Sequence, residues 1–234
     1  MFSIMRRELA AYFHSPIGYI FLAPFYFFSG IAFLTGNLLS QNANLGGVFS
    51  YLFNFVIFLV PVLTMRLLSE DRKNKTDQAL LTAPITISGM VLGKFLAAAL
   101  VFALALSVTL VYALVIALYT PPNWPGIIGN FTSTLLLGLS MISIGIFISS
   151  MTENQVIAAV GGFAVALLLI LIDMFGQIFT EPWVIAFVNG ISFYRRYGSF
   201  SSGIFEFSHV LFFISVCIIF LFLTVRVYEK RRWS

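Results

Sequence analysis

The chain has 234 residues, of which 60% are apolar and only 9% are charged. Soluble domains carry about 25% charged residues, so this composition excludes a soluble globular fold and predicts an all-α membrane protein. The single cysteine, Cys217, excludes a disulfide framework or a cysteine metal site within the chain. The net charge of +4 does not indicate nucleic-acid binding, because the positive charges sort by membrane side.

The first residues, 1–15, predict an amphipathic helix that lies on the membrane surface. Its apolar face holds Phe2, Met5, Leu9, Tyr12 and Phe13. The opposite face holds Ser3, Arg6, Arg7 and Ala10, and Glu8 is the third charged residue of this helix. This pattern is typical of an interfacial helix, and Pro16 is expected to end it. No small-residue cleavage site follows, so the next apolar segment is expected to be retained as a span.

Six apolar runs are long enough to cross a bilayer core, which takes roughly 20 residues of helix. They cover residues 17–39, 48–65, 89–118, 129–150, 155–172 and 209–225. A turn signal at residues 119–126 separates the third and fourth runs. We therefore expect a single membrane domain, residues 1–234, with six transmembrane helices.

The basic residues predict the orientation of these spans. With an even number of spans, eleven of the thirteen lysines and arginines fall on one side, which the positive-inside rule assigns to the cytoplasm. Both termini and the loop 66–88 are then cytoplasmic, and the loop 176–208 is extracytoplasmic. Only Arg195 and Arg196 lie on the outer side.

The cytoplasmic loop predicts one or two short amphipathic helices parallel to the membrane. Ser69 is a candidate helix cap followed by Glu70 and Asp71, and Thr76 repeats the pattern. An apolar patch then follows, and the predicted helix ends at a proline; the residues concerned are Leu80, Leu81 and Pro84. An apolar tip with a charged rim is suited to docking a soluble partner. The alternative is a solvated connector.

The outer loop predicts a second short element. Residues 182–190 are apolar but only about half a span long, which favours a re-entrant or interfacial helix between spans five and six. Arg195 and Arg196 follow in a polar stretch. They are candidates for contact with an anionic substrate or an outer partner, and lipid headgroups are an equal alternative.

A nucleotide-binding loop is excluded. Residues 89–95 lack both the spacing and the hydroxyl residue that such a loop needs, so ATP chemistry belongs to another chain. Lys94 is instead expected to hold its span at the inner interface, with Gly89 and Gly93 allowing close helix packing.

No catalytic, cofactor-binding or metal-binding residue is predicted, so the chain is not expected to be catalytic alone. His14 and His209 lie on opposite membrane sides, and neither is expected to bind a metal or to activate a serine. Asp173 lies near the outer boundary of span five, which favours a structural role over a proton relay. The sequon at Asn130 is a formal match of a kind common by chance.

The loop carries a resemblance to a known family. Residues 61–72, Pro-Val-Leu-Thr-Met-Arg-Leu-Leu-Ser-Glu-Asp-Arg, are followed by Thr76 and by Leu-Leu-Thr-Ala-Pro-Ile at 80–85. This stretch resembles the membrane permeases of ABC transporters of the ABC-2 type, most closely the gliding-motility and sodium/drug-export-like branch. An amphipathic start, six spans, an outer half-span element and a basic closing segment extend the resemblance over the chain.

The resemblance implies a subunit of an exporter in the bacterial cytoplasmic membrane. Two permeases, identical or related, would pair, and two separate ATPase subunits holding ATP and magnesium would bind from the cytoplasm. A coupling helix would pass ATP-driven closure to the spans, and the residues it maps to are Glu70, Asp71, Thr76, Leu80, Leu81, Thr82 and Pro84. The N-terminal helix would complete the ATPase contact, and the outer half-span element would shape the exit.

Two other functions remain open from the sequence. One is a structural or force-transmitting membrane subunit of an envelope or motility complex, acting on an extracytoplasmic partner. The other is a stand-alone ion-coupled transporter, which would need charges or broken helices near the bilayer midplane. Span five offers Gly161 and Gly162 but no midplane charge. The apolar, aromatic spans are compatible with a lipid, a lipid-linked molecule or a hydrophobic peptide as substrate.

Overall fold

The computed structural model describes residues 1–75, 86–178, 181, 185, 188, 190–201 and 206–232. Most of these residues are helical, and no strand occurs among them. The helices are α1 (Phe2–His14), α2 (Pro16–Phe33), α3 (Gly46–Thr64), α4 (Ser69–Lys73), α5 (Ile87–Leu106), α6 (Val108–Ala117), α7 (Trp124–Met151), α8 (Gln155–Ile178), α9 (Phe193–Ser201) and α10 (Phe207–Arg232). A π-helical turn, Leu34–Leu38, continues α2.

Six helical stretches in this part of the chain are long and apolar enough to cross a membrane. They are Pro16–Leu38, Gly46–Lys73, Ile87–Ala117, Trp124–Met151, Gln155–Met174 and Phe207–Arg231. The predicted all-α membrane fold with six spans is confirmed.

The first helix ends where the sequence predicts. Ser15 adopts an extended backbone (φ −104°, ψ 157°), and Pro16 opens α2. The side of α1 that packs against the protein is formed by Ile4, Glu8 and Tyr12. The apolar pattern alone does not single out this stripe, because it contains a carboxylate.

The third span consists of two helices, which the sequence did not predict. Ser107 Oγ donates to the carbonyl of Leu104 at 2.6 Å, and Thr109 Oγ1 donates to that of Leu106 at 2.8 Å. Hydroxyls that bond back to the preceding turn compete with the backbone ladder and bend helices. The Ser-Val-Thr sequence therefore divides the span into α5 and α6.

Helix α7 is the centre of the bundle. Its most extensive contacts within the described residues are with α10 and α3. Two glycines allow neighbouring side chains to lie directly on it: the Phe102 ring covers Gly138, and Thr64 covers Gly145. A Cβ atom at either glycine would overlap the neighbouring side chain, so these positions hold α5 and α3 at short distance.

Helices α8 and α10 lie at the periphery. Large apolar side chains along them are exposed, among them Val156 and Ile157 on α8 and Ile218 and Ile219 on α10. A membrane-spanning helix that contacts lipid hydrocarbon needs apolar side chains along its outward surface. The bundle thus has a packed centre and an apolar outer surface.

Candidate functional site

A buried lysine joins three separate segments at one end of the bundle. Lys94, on α5, has 1% of its side chain exposed. Its Nζ lies 2.9 Å from Glu8 Oε1 on α1 and 2.7 Å from Asp71 Oδ2 on α4, and it donates to the carbonyl of Leu67 at 2.6 Å. An ammonium has three donors, and each of these acceptors can take one. We call Lys94, Glu8 and Asp71 the ion triad.

Helix α1 is held against α5 by charge and by close packing. Arg7 Nη2 donates to Glu8 Oε1 at 2.7 Å, which adds a second cation to the triad, and this hydrogen bond raises the pKa of Arg7. Next to Lys94, Gly93 lies under the start of α1, where an added Cβ would be 3.0 Å from the Met1 carbonyl and 3.2 Å from Ile4. The absence of a side chain at Gly93 therefore lets Glu8 reach Lys94.

A second set of contacts joins α1 to the end of α3. Tyr12 is buried, and its hydroxyl donates to the Leu63 carbonyl at 2.8 Å; burial raises the pKa of Tyr12, so it stays a donor. The guanidinium of Arg66 lies over the Tyr12 ring at 5.8 Å and donates to Ser15 Oγ at 2.6 Å. Arg66 also pairs with Glu70 at 2.9 Å, so the connection continues into α4.

A third set of contacts joins the segment 65–72, which includes most of α4, to the end of α7 and the turn that follows it. The hydroxyl of Ser149 accepts from the backbone amides of Leu68 (3.2 Å) and Ser69 (3.0 Å) and donates to the Met65 carbonyl at 3.1 Å. Arg72 donates to the Ser150 carbonyl at 2.9 Å and pairs with Glu153 at 3.2 Å. The segment 65–72 is thereby attached to α1, α5 and α7 together.

Replacing Ser149 by alanine is expected to lower the free energy of unfolding by about 1–3 kcal/mol, because two buried amides lose their acceptor. Thermal or detergent-induced unfolding of the purified protein measures the change. Ser215→Ala is the matched control, since Ser215 is exposed on α10 and its hydroxyl donates back to the Phe212 carbonyl of the same helix. A Ser149→Ala variant no less stable than Ser215→Ala would contradict the capping role.

The family can be established independently of this network. A family model described as ABC-2 family transporter protein matches residues 28–233. The chain belongs to this family. No curated protein matches it. Members of this family are typically non-catalytic membrane subunits, and membership implies association with ABC ATPase partners.

The matched region of this ABC-2 family protein contains Asp71 and Lys94 but begins within α2, after Glu8. Two members of the ion triad therefore lie in the family region, and the third comes from the helix that precedes it. The triad is one of the contacts that connect this helix to the family fold, together with those of Tyr12 and Arg66.

The structure brings several of the predicted interface residues together and leaves others outside the described residues. Glu70, Asp71, Arg7 and Glu8 all belong to the network above, whereas Arg6 is exposed. The remaining predicted coupling residues, Thr76, Leu80, Leu81, Thr82 and Pro84, lie outside the described residues.

Lys94 is the residue that sequence reasoning misplaced. It was expected to reach toward the interface, but its side chain is buried and paired. The prediction for the neighbouring glycines holds at Gly93. At Gly89, an added Cβ would instead meet the capping hydroxyl of Thr86 on the same helix at 2.8 Å. The signal available in the sequence was a lysine within an apolar run, which needs carboxylate partners when it is buried.

The predicted cap of α4 was wrong in one respect. Leu68 occupies the cap position, and Ser69 is the first helical residue, with its hydroxyl donating back to the Met65 carbonyl. The acidic first turn of α4 is present as expected, with Glu70 and Asp71. The backbone amides of Leu68 and Ser69 at this end of the helix donate instead to the hydroxyl of Ser149 on α7.

The two arginines predicted to lie on the outer side, Arg195 and Arg196, differ in their surroundings. Arg195 is exposed on α9. Arg196 lies over the Phe212 ring at 3.9 Å and donates to the Gly190 carbonyl at 2.8 Å, and burial lowers the pKa of Arg196. Arg196 therefore contributes to the packing of α9 on α10. The predicted half-span at 182–190 falls mostly outside the described residues.

One histidine does lie beside a serine, which the sequence did not predict. Ser199 Oγ is 2.7 Å from His209 Nδ1, and Glu206 lies 3.4 Å from His209 Nε2. The Ser199 hydroxyl also donates to the Arg196 carbonyl at 2.9 Å, so its proton has a backbone acceptor. The three side chains join the end of α9 to the start of α10.

Proposed function

We propose that this chain is the permease subunit of an ATP-driven exporter that couples to separate ATPase subunits at the end of the bundle holding the ion triad. The observation that carries the proposal is the contact set of Lys94, in which one buried side chain connects α1, the segment 65–71 and α5. A second permease chain, identical or related, supplies the other half of the pathway. ATP and magnesium belong to the ATPase subunits.

The ion triad supports the coupling role because it is costly to pull apart. Removing one partner from a buried charge pair costs about 3–5 kcal/mol, since the other charge remains without compensation. A displacement of α4 by a bound ATPase would therefore move α1 and α5 with it. Closure of the ATPase pair would act on three elements at once.

The Ser149 and Arg72 contacts support a second route into the membrane. Both fasten the segment 65–72 to the C-terminal end of α7, which is the central helix of the bundle. Since α7 packs on α3 and α10, motion at this end would reach spans two, four and six. Coupled motion of packed helices is a common form of such transitions.

The charge distribution supports the assignment of this end to the cytoplasm of a bacterium, with both termini inside. The network uses Arg7, Arg66, Arg72 and Lys94, all of which belong to the eleven basic residues on the predicted inner side. On the outer side, the exposed Arg195 is the residue we assign to contact with an extracytoplasmic partner.

We expect the double substitution Leu80→Asp and Leu81→Asp, which replaces the predicted apolar tip by two carboxylates, to weaken association with the ATPase. Charge placed in an apolar contact removes about 2 kcal/mol or more of binding free energy, roughly a 30-fold loss of affinity. Co-purification with a candidate ABC ATPase subunit, and the ATP hydrolysis of the reconstituted pair, are the measurements.

Leu118→Asp is the matched control, because this leucine is 81% exposed at the opposite end of the bundle. It is expected to leave association and ATP hydrolysis unchanged. If the wild-type chain does not bind the ATPase, or if the Leu80 and Leu81 variant binds and stimulates it as well as the control, the proposed function is wrong.

A further inference from the structure

A stripe of small and polar residues faces outward from the N-terminal half of α3. Its members, Gly47, Ser50, Tyr51 and Asn54, follow one another at helical spacing and are all exposed. We call these four residues the polar stripe. Span two covers Gly46–Lys73, and Asn54 lies eight residues after its start, which is about 12 Å along the helix. The amide of Asn54 is therefore well inside the span and not at its end.

The three polar side chains of the stripe make no hydrogen bond within the part of the chain that the structure describes. Exposed hydroxyls elsewhere in the spans are different, since those of Thr35, Ser107 and Ser215 donate to carbonyls of the preceding turn at 2.6–2.8 Å. An amide without such a partner is costly in hydrocarbon, where no water replaces the missing hydrogen bonds. Asn54 therefore requires a partner from outside this chain.

The rest of the bundle leaves this face of α3 uncovered. Helix α8 meets α3 nearer the C-terminal end of α3, where a Cβ added at Gly162 would lie 2.7 Å from Pro61 Cβ. Along the N-terminal half, Tyr51 is 50% exposed, and Phe58, which follows Asn54 on the same face, is 40% exposed. The face is neither packed within the chain nor fully apolar, so it is not suited to lipid contact alone.

A second copy of the same helix fits this face for two reasons. Asparagine amides are self-complementary, because each NH₂ can donate to the oxygen of the other across a two-fold axis. Gly47 and Ser50 are small, and small residues let two helix backbones approach closely in a membrane. The space at Gly47 is open, since an added Cβ there would meet no atom within 4 Å. A single asparagine at a contact between helices also fixes their register.

We propose that two copies of this chain meet at the N-terminal half of span two, with their Asn54 side chains hydrogen-bonded to each other across a two-fold axis. Tyr51 and Phe58, on either side of Asn54, lose their exposure to lipid in this contact. The inference rests on the proposed function in one point: it identifies the second permease chain as a copy of this one and names the face that it meets.

Chemical cross-linking tests where the copies meet. Cys217→Ser removes the single cysteine of the chain, and Tyr51→Cys then places one thiol beside Asn54 while the amide stays in place. We expect a short bismaleimide to join two copies of the full chain in phosphatidylcholine vesicles. Ile218→Cys in the same background is the matched control, because Ile218 is 62% exposed on α10. It is expected to give no more cross-linked product than the cysteine-free chain.

The contribution of the amide is measured by energy transfer between donor- and acceptor-labelled copies as the vesicles are diluted with lipid. Asn54→Leu is expected to weaken association about three- to twentyfold, by loss of hydrogen bonds between the helices. Ile218→Leu is the control and is expected to leave association unchanged. Asn54 is exposed within one copy, so Asn54→Leu is expected to fold, and circular dichroism checks this. The cross-linking experiment does not depend on this variant.

Two results overturn the proposal. One is the absence of cross-linking in Tyr51→Cys, and the other is equal association of the wild type and Asn54→Leu. Labelling of Asn54→Cys by a membrane-impermeant maleimide, without cross-linking in Tyr51→Cys, assigns the stripe to a water-filled surface and overturns it as well. No ATPase is present in these experiments. A failure to pair at this face therefore leaves the coupling to an ATPase standing, and a failure to bind an ATPase leaves the pairing standing.

Discussion

Replacing Lys94 by methionine is expected to lower the free energy of unfolding by about 3–5 kcal/mol. Methionine keeps most of the apolar stem but removes the ammonium that lies 2.9 Å from Glu8 and 2.7 Å from Asp71. Two carboxylates are then left without their shared cation, and the Leu67 carbonyl loses a donor. Thermal unfolding of the purified protein, followed by circular dichroism, measures the effect.

Lys230→Met is the matched control, because Lys230 is exposed near the end of α10. Its expected effect is within about 0.5 kcal/mol, as for most surface substitutions. Adding Glu8→Gln and Asp71→Asn to Lys94→Met is expected to recover a substantial part of the loss, because no charge then stays buried. Equal losses from Lys94→Met and Lys230→Met would show that the triad does not stabilise the chain.

A single methyl group at Gly145 is expected to destabilise the bundle by about 1–3 kcal/mol. The new Cβ would overlap the Thr64 hydroxyl and lie 2.8 Å from Thr64 Cβ. Thr64 has little room to move, since it is 1% exposed and its hydroxyl donates to the carbonyls of Val60 (3.2 Å) and Pro61 (3.3 Å). Helices α3 and α7 would therefore have to separate. The unfolding free energy of Gly145→Ala measures this.

Gly47→Ala separates the steric effect from the general effect of alanine in a helix. Gly47 lies near the start of α3, and an added Cβ there meets no atom within 4 Å. That substitution is expected to be neutral or to stabilise by up to about 1 kcal/mol, because it reduces the freedom of the unfolded chain. Combining Gly145→Ala with Thr64→Ala is expected to recover part of the loss. Similar values for the two glycine variants would argue against close packing at Gly145.

The membrane fold was predictable because it depends on local properties of the sequence. The length of an apolar run decides whether a helix can span a bilayer, and all six spans could be read from it. The end of α1 at Ser15 followed from the restriction that Pro16 places on its neighbour. None of these predictions needs knowledge of which helices touch.

The ion triad was not predictable, because it depends on contacts between distant parts of the chain. A lysine two turns into an apolar helix can reach out to the interface or pair inside the protein, and the local sequence is the same in both cases. The choice is made by Glu8 and Asp71, which only the packing of α1 and α4 brings to Lys94. The contact of Ser199 with His209 and the capping of the 65–69 segment by Ser149 arise in the same way.

The 86 residues that separate Glu8 from Lys94 also determine the order in which the molecule can be completed. A chain synthesised from its N-terminus presents Glu8 and Asp71 well before the third span enters the bilayer. Until then neither acid has this cation, and the contacts of Tyr12 and Arg66 are those that join α1 to the end of α3. Insertion of the third span supplies Lys94, which connects both elements to α5. The surface formed by α1 and α4 therefore reaches its final arrangement no earlier than the insertion of half of the spans.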